Sequence, residues 1–103
     1  MSTEKIAVVA KITSKPGMRD DLAGGLSNAF PNVDKETGTI YYILHTDDND
    51  ENVLWLYELY TNQEALVGHQ TSEWYKNWGP SVAPFMGGPP ELIFMKATAG
   101  KGL

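Results

Sequence analysis

Two side chains able to move protons near neutral pH share the stretch YELYTNQEALVGHQTSEWYKNW, namely Glu58 and His69. Glu58 falls in the middle of an apolar run, where burial raises a carboxyl pKa and turns the group into a tuned proton acceptor. The same position also suits a plain ion pair, with Lys11, Lys76 or Lys96 as partner. His69 has a comparable double reading. It is placed toward the end of a predicted helix, where an imidazolium interacts well with the carboxyl-end dipole, yet it is also the side chain best suited to general acid–base work. Trp74, Tyr75 and Trp78 follow, and the spacing puts Trp74 and Trp78 on one helical face. Such a stripe serves as core, or as the wall of a pocket for a planar ligand. The second histidine, His45, ends a predicted strand and reads as a hairpin surface residue.

Other chemistries find little support. The chain has no cysteine, which excludes disulfides, thiolate metal sites and a cysteine nucleophile and fits a reducing compartment. There is no glycine-rich nucleotide loop, and GGPPE is too proline-rich to cap a helix around phosphate. The acids Asp47, Asp48, Asp50 and Glu51 lack the central glycine and distal glutamate of a calcium loop and read as a solvated hairpin tip. The two histidines and Glu58 match no metal-ligand spacing, so neither a metal nor a cofactor is expected. A net charge of −5 without a basic cluster leaves no footprint for nucleic acid. The first residues, MSTEKIAVVAKITSK, hold neither a signal-type apolar core nor a membrane span, and the protein is expected to be soluble and cytoplasmic.

The elements that would position these groups follow from periodicity. Residues 4–14 alternate as a strand, with Ile6, Val8, Ala10 and Ile12 on one face. Lys15-Pro16-Gly17 stops it, with Pro16 suited to the first turn of a helix carrying Met18, Leu22, Leu26, Ala29, Phe30 and Val33. Gly24 and Gly25 weaken that helix by about 1 kcal/mol each, and Pro31 frays or ends it. Residues 39–46 and 52–61 form a hairpin that is apolar on both faces. A chain of 103 residues has helices enough for one face, so a second copy of the sheet is the expected lid for the other. Thr61 or Asn62 caps the next helix, and Ser72 starts another that Gly79-Pro80 breaks. ELIFMKAT is the last strand, and residues 98–103 are expected to be a mobile tail. The order βα, ββ, αα, β is that of a single ferredoxin-like α+β domain with a split second helix.

The pieces VVAKITSKPGMRDDL, LYELYTNQEALVGHQTSEWYKNW and GGPPEL, in this order, resemble the antibiotic biosynthesis monooxygenase family over nearly the whole chain. The most specific part is Tyr57-Glu58 followed by Tyr60, Glu64-Ala65, His69 and Ser72. The resemblance implies a dimeric α+β barrel in which two ferredoxin-like sheets pack face to face. It also implies, for members of this kind, cofactor-independent oxidation of quinols or polycyclic phenols by O₂. On that basis His69 or Glu58 would be the base, Trp74 and Trp78 the walls, and Tyr57 or Tyr60 the hydrogen-bond donors. A haem-degrading branch is set aside. Its strand-one asparagine has no counterpart in IAVVAKIT, His69 stands where its tryptophan would fall, and its later histidine position falls near Gly79. Two alternatives share the fold: a non-catalytic protein holding a small aromatic or lipid-like ligand, and an isomerase of small carbonyl compounds. The isomerase would need cations for a phosphate, and Arg19 is the sole arginine.

Overall fold

A computed structural model describes residues 4–103. Its elements are β1 (Ile6–Thr13), α1 (Arg19–Ser27), a one-turn α2 (Phe30–Val33), β2 (Thr39–Thr46), β3 (Val53–Tyr60), α3 (Gln63–Gln70), α4 (Glu73–Val82) and β4 (Glu91–Lys96), with a 3-10 turn at Ala83–Phe85. The strands form one antiparallel sheet in the order β2-β3-β1-β4. Helices cover one face of it, which is the ferredoxin-like α+β arrangement expected from the order of elements.

Side chains alternate across a strand, so the register decides which residues meet. Ile6, Val8, Ala10 and Ile12 lie beside Tyr60, Glu58, Leu56 and Leu54, and Tyr42 and Leu44 lie beside Glu58 and Leu56. This inner face carries two apolar clusters. Ala10, Ile12, Leu54 and Leu56 pack with Leu22 and Leu26 of α1 and Val82 of α4, whereas Ile6, Val8 and Tyr60 pack with Leu66 of α3. Glu58 stands between Leu56 of the first cluster and Tyr60 of the second, at the seam where α3 hands over to α4. A register shift between Thr39 and Tyr41 inserts Ile40 as an extra residue in β2. Thr39 is thereby returned to the inner face, opposite Tyr60.

Three local expectations change. Pro16 does not enter a helix: Met18 N donates to Lys15 O at 3.0 Å and Gly17 has φ +75°, so Pro16 and Gly17 are the two central residues of a tight turn. The long first helix is two pieces. Asn28 and Ala29 tighten onto carbonyls three residues back, Pro31 has no N–H for the Ser27 carbonyl, and the chain restarts with Pro31 in the first turn of α2. Gly79-Pro80 does not break α4, which runs through to Val82. Tertiary packing outweighs the roughly 3 kcal/mol that an internal proline costs. Trp78 Nε1–H donates to Gly25 O at 2.9 Å, and Val82 is buried in the first cluster.

The hairpin tip is held by its own side chains. Asp47 accepts from the amides of Asn49 and Asp50 and from Trp55 Nε1, while Arg19 donates to the carbonyls of Asp47 and Asp50. The sole arginine is therefore committed to joining the start of α1 to the β2–β3 turn.

The outer face of the sheet carries exposed apolar side chains on its two edge strands. Tyr41 (46% exposed) and Ile43 (44%) lie on it at one edge strand, β2, and Ile93 (52%) and Met95 (41%) at the other, β4.

Gly24 and Gly25 are expected to differ sharply. A Cβ at Gly25 would stand 2.9 Å from Val82 Cγ1, whereas one at Gly24 meets nothing within 4 Å. Urea unfolding should show Gly24→Ala stabilising by about 0.5–1 kcal/mol and Gly25→Ala destabilising by about 1–2 kcal/mol.

Candidate functional site

His69 does not simply finish a helix. Asn62 caps α3 by accepting from Ala65 N at 2.9 Å, which fixes the helix so that Leu66 and His69 both turn toward the sheet. The imidazole is 4% exposed and sits among four aromatic rings, with centroids 5.2–5.4 Å from those of Tyr42, Tyr60, Trp74 and Tyr75. Its Nδ1 lies 2.8 Å from Glu36 Oε1. Glu36 also accepts from Thr39 Oγ1 at 2.9 Å and from Trp74 Nε1 at 3.0 Å. A carboxylate that accepts from two other donors accepts from the imidazole too, so Nδ1 carries a proton directed at Glu36. Nε2 then faces Glu58, with Oε1 at 4.0 Å.

Glu58 is 7% exposed. Among the described residues none of Lys11, Lys76 and Lys96 pairs with it, and Lys11 pairs instead with Glu91 at 3.9 Å. Tyr60 donates its hydroxyl to Glu58 Oε1. Burial pushes the Glu58 carboxyl up to about 7, with the Tyr60 hydrogen bond opposing the rise and the negative charge of Glu36 adding to it. The phenols of Tyr42, Tyr60 and Tyr75 are all raised above the ordinary tyrosine value, first by burial and then by the charge of Glu58. They are therefore neutral donors at any physiological pH.

Two concavities meet at this group. The inner one is a cavity of about 160 Å³ between the sheet and α4, bounded by Ala10, Leu26, Tyr42, Leu56, Tyr75 and Trp78, with Glu58 the only carboxylate among the described residues that line it. Its lining reaches the surface at Pro90 and Leu92, both exposed. The outer one is an open groove of about 650 Å³ lined by Glu36, His69, Asn62, Ser72 and Trp74 among others. Of these two, the inner cavity has the apolar walls and few placed polar groups typical of a small-molecule site.

Of the residues singled out from sequence, Glu58, His69 and Tyr60 converge, and Trp78 joins Glu58 at the cavity. Trp74 contacts Trp78, with ring centroids 5.8 Å apart, but borders the outer groove and holds Glu36 rather than walling the cavity. Tyr57 is not brought to this site. Its register partners are Val9 and Ile43, which places it on the outer face of the sheet, opposite to Glu58. Sequence reasoning missed Glu36, Tyr42 and the role of Tyr75. The hairpin register would have revealed Tyr42, which lies directly beside Glu58. Glu36 sits in a loop segment, DKETG, that carries no periodic signal.

Among the described residues, no group of three or more His, Cys, Asp or Glu side chains is arranged to hold a metal ion, and no helix is long and apolar enough to cross a membrane.

The fold and this site define a small α+β protein with a sheet-and-helix cavity. The sequence profile of the antibiotic biosynthesis monooxygenase family matches residues 5–80, and the chain belongs to that family. No functionally curated protein matches it. Among solved structures, a provisionally assigned antibiotic biosynthesis monooxygenase of Caulobacter crescentus CB15 superposes with a TM-score of 0.88 at 26% identity, over 94% of this chain and 92% of that one. Rv0793 of Mycobacterium tuberculosis gives a TM-score of 0.84 at 24% identity, covering 95% of this chain and 99% of its own. A conserved protein of Methanosarcina mazei Go1 gives 0.86 at 21% identity, over 93% and 95% of the two chains. These last two share the fold.

The raised Glu58 carboxyl has a thermodynamic signature. Glu58 binds its proton more tightly in the folded chain than in the unfolded one, where its value is 4.5. Its contribution is therefore fully present below pH 4.5 and is lost as pH rises through about 7. Urea unfolding at about pH 5 and about pH 8 should show wild type losing on the order of 2–3 kcal/mol that Glu58→Gln does not lose. Equal pH slopes in the two proteins would mean that Glu58 is solvated like an ordinary carboxylate.

Proposed function

We propose that this protein is a cofactor-independent monooxygenase that oxidises a quinol or polycyclic phenol with O₂, and that it works as a homodimer in the cytoplasm. The observation that carries the reading is a single buried carboxylate facing an apolar, aromatic-walled cavity. Its volume of about 160 Å³ is on the scale of the apolar cavities, of about 150 Å³, that admit a benzene-sized ring. The exposed rim at Pro90 and Leu92 gives larger ring systems room to extend. No lysine or arginine lines the cavity, and Arg19 is engaged at the hairpin tip, which counts against an isomerase of phosphorylated carbonyl compounds.

In this reading Glu58 is the base. A carboxyl tuned to about 7 takes the proton of a substrate hydroxyl at neutral pH, where an ordinary carboxylate is too weak a base. The electron-rich phenolate passes one electron to O₂, and the two radicals recombine at a ring carbon to give a peroxide. The peroxide O–O bond then breaks. One oxygen stays as the quinone carbonyl, and the other leaves as water with the hydroxyl hydrogen and the hydrogen of that ring carbon. The protein contributes proton handling, dry walls from Trp78 and Tyr75, and the neutral hydroxyls of Tyr42 and Tyr75 as donors to the developing anion.

The dimer is supported by surface that has no covering in one chain. The accessible area of 6420 Å² exceeds the roughly 5,800 Å² typical of a monomer of 11.4 kDa. The outer face, with Tyr41, Ile43, Ile93 and Met95, is the apolar region that a second copy of the sheet would bury.

Oxygen-electrode measurements with a hydroquinone series test the activity. Glu58→Gln should lower kcat by about 10²-fold or more, and His69→Ala should lower it to a smaller degree. Ligand protection without oxygen uptake by wild type on any phenol would instead make the cavity a binding site. Sedimentation should give wild type twice the mass of one chain, and Ile43→Lys should return it to the mass of one.

A further inference from the structure

We propose that His69 and Glu36 form a proton relay that connects Glu58, at the inner cavity, to solvent in the outer groove. In turnover this relay serves Glu58 as the base and rests on that reading, although the connection itself exists without a reaction.

The two concavities share no wall residue at this point, and the imidazole lies between them. Glu58 lines the cavity and not the groove, whereas His69 and Glu36 line the groove and not the cavity. Every other ring against His69 is aromatic and neutral, namely Tyr42 from β2, Tyr60 from β3, and Trp74 and Tyr75 from α4. Among the described residues, the only ionisable groups facing the imidazole besides these phenols are Glu36 and Glu58, one at each nitrogen. Among the side chains around Glu58, His69 is thus the polar one that leads to the groove. A structural histidine would be satisfied by the Glu36 contact alone, and its second nitrogen would have no need to face a buried carboxyl.

The proton balance is simple. Glu58, having taken a proton from substrate, passes it to Nε2 of His69 as a rotation of its carboxyl closes the 4.0 Å gap. The ring then releases its Nδ1 proton to Glu36 across the 2.8 Å hydrogen bond, and Glu36 gives it to water in the groove. Glu58 is a carboxylate again, and the ring is left with its proton on Nε2. The inward passage runs in reverse, returning a proton to Glu58 and restoring the Nδ1–H form. No electron moves in either direction. A reaction that first takes a proton from a hydroxyl and later returns one to a departing oxygen uses one passage each way, so the ring is reset once per turnover. Thr39 Oγ1 and Trp74 Nε1 act as positioning groups, holding the Glu36 carboxylate on the imidazole.

Infrared spectroscopy of the full chain after a downward pH jump reads the relay without any substrate. The signal is the protonated-carboxyl band that Glu58→Gln abolishes. Its rate of appearance should fall about tenfold or more in both Glu36→Gln and His69→Gln, with Glu36→Asp recovering part of the loss. A purely structural role would shift thermal stability and leave this rate unchanged, and unchanged rates in the folded variants overturn the proposal. Glu36 is a half-buried loop residue, so Glu36→Gln remains informative where His69→Gln fails to fold. Wild type supplies an independent check: the ¹⁵N signals of His69 should move at the midpoint of the Glu58 carboxyl ¹³C signal, as expected for groups that share a proton. Separate midpoints with no mutual response overturn the relay as well. If the band kinetics behave as expected while no phenol is oxidised, the relay stands and the monooxygenase reading fails.

Discussion

A carboxyl group placed between two apolar clusters is the constraint from which the rest of the site follows. Leu56 and Tyr60 flank Glu58 along the inner face of β3, and Val8 and Tyr42 flank it across the sheet. Water is excluded there, so the ionised form is costly unless other groups stabilise it. Tyr60, fully buried, gives its hydroxyl to Glu58, and the imidazole of His69 supplies the next polar contact. His69 in turn needs a partner for its other nitrogen, and that need reaches the surface at Glu36. A single desolvated group thus organises polar atoms from β3, α3 and one loop into a line, while leaving its second side turned to an apolar cavity.

The cavity depends equally on how closely two helices approach. Gly25 lets Val82 of α4 lie against α1, and its carbonyl takes the indole N–H of Trp78. That contact fixes the wall of the cavity and also holds α4 together across Pro80. The same backbone position therefore serves stability and shape at once. Local helix propensity, which is poor in both α1 and α4, has been traded for a defined gap between helix and sheet.

How much of this was legible in the sequence varies by the range of the interaction. Strand positions followed from alternation, because Ile6, Val8, Ala10 and Ile12 must share a face. A cap at Thr61 or Asn62 followed from residue type, and the fold gives it to Asn62. Glycine and proline proved less transparent. Gly25 reads as a weakness until its neighbour is known, and Pro80 reads as a stop because its cost is local whereas the compensating packing of Trp78 and Val82 is not. Pro16 reads as a helix start, although Gly17 beside it has the positive φ that makes the pair a turn. At the site, the aromatic and acidic residues of the central stretch were recognisable, but their sorting was not. Tyr57 and Glu58 are adjacent in the chain and on opposite faces of the sheet, and Trp74 and Trp78 share a helical face yet border different concavities. Glu36 was invisible because its importance comes wholly from the partners it meets across the fold.

The extra residue in β2 shows how such a meeting can depend on counting. If Ile40 took a regular place in the ladder instead of bulging, alternation would carry Thr39 to the outer face with Tyr41, and its hydroxyl would point away from Glu36. The bulge changes the phase of the strand, so the end nearest the loop serves the helix-facing side. The polar line from loop to cavity is consequently sensitive to the phase of the strand as well as to chemistry. Drawing Ile40 into regular alternation would disconnect them while every one of those side chains remained in the sequence, whereas deleting it would leave Thr39 opposite Tyr60.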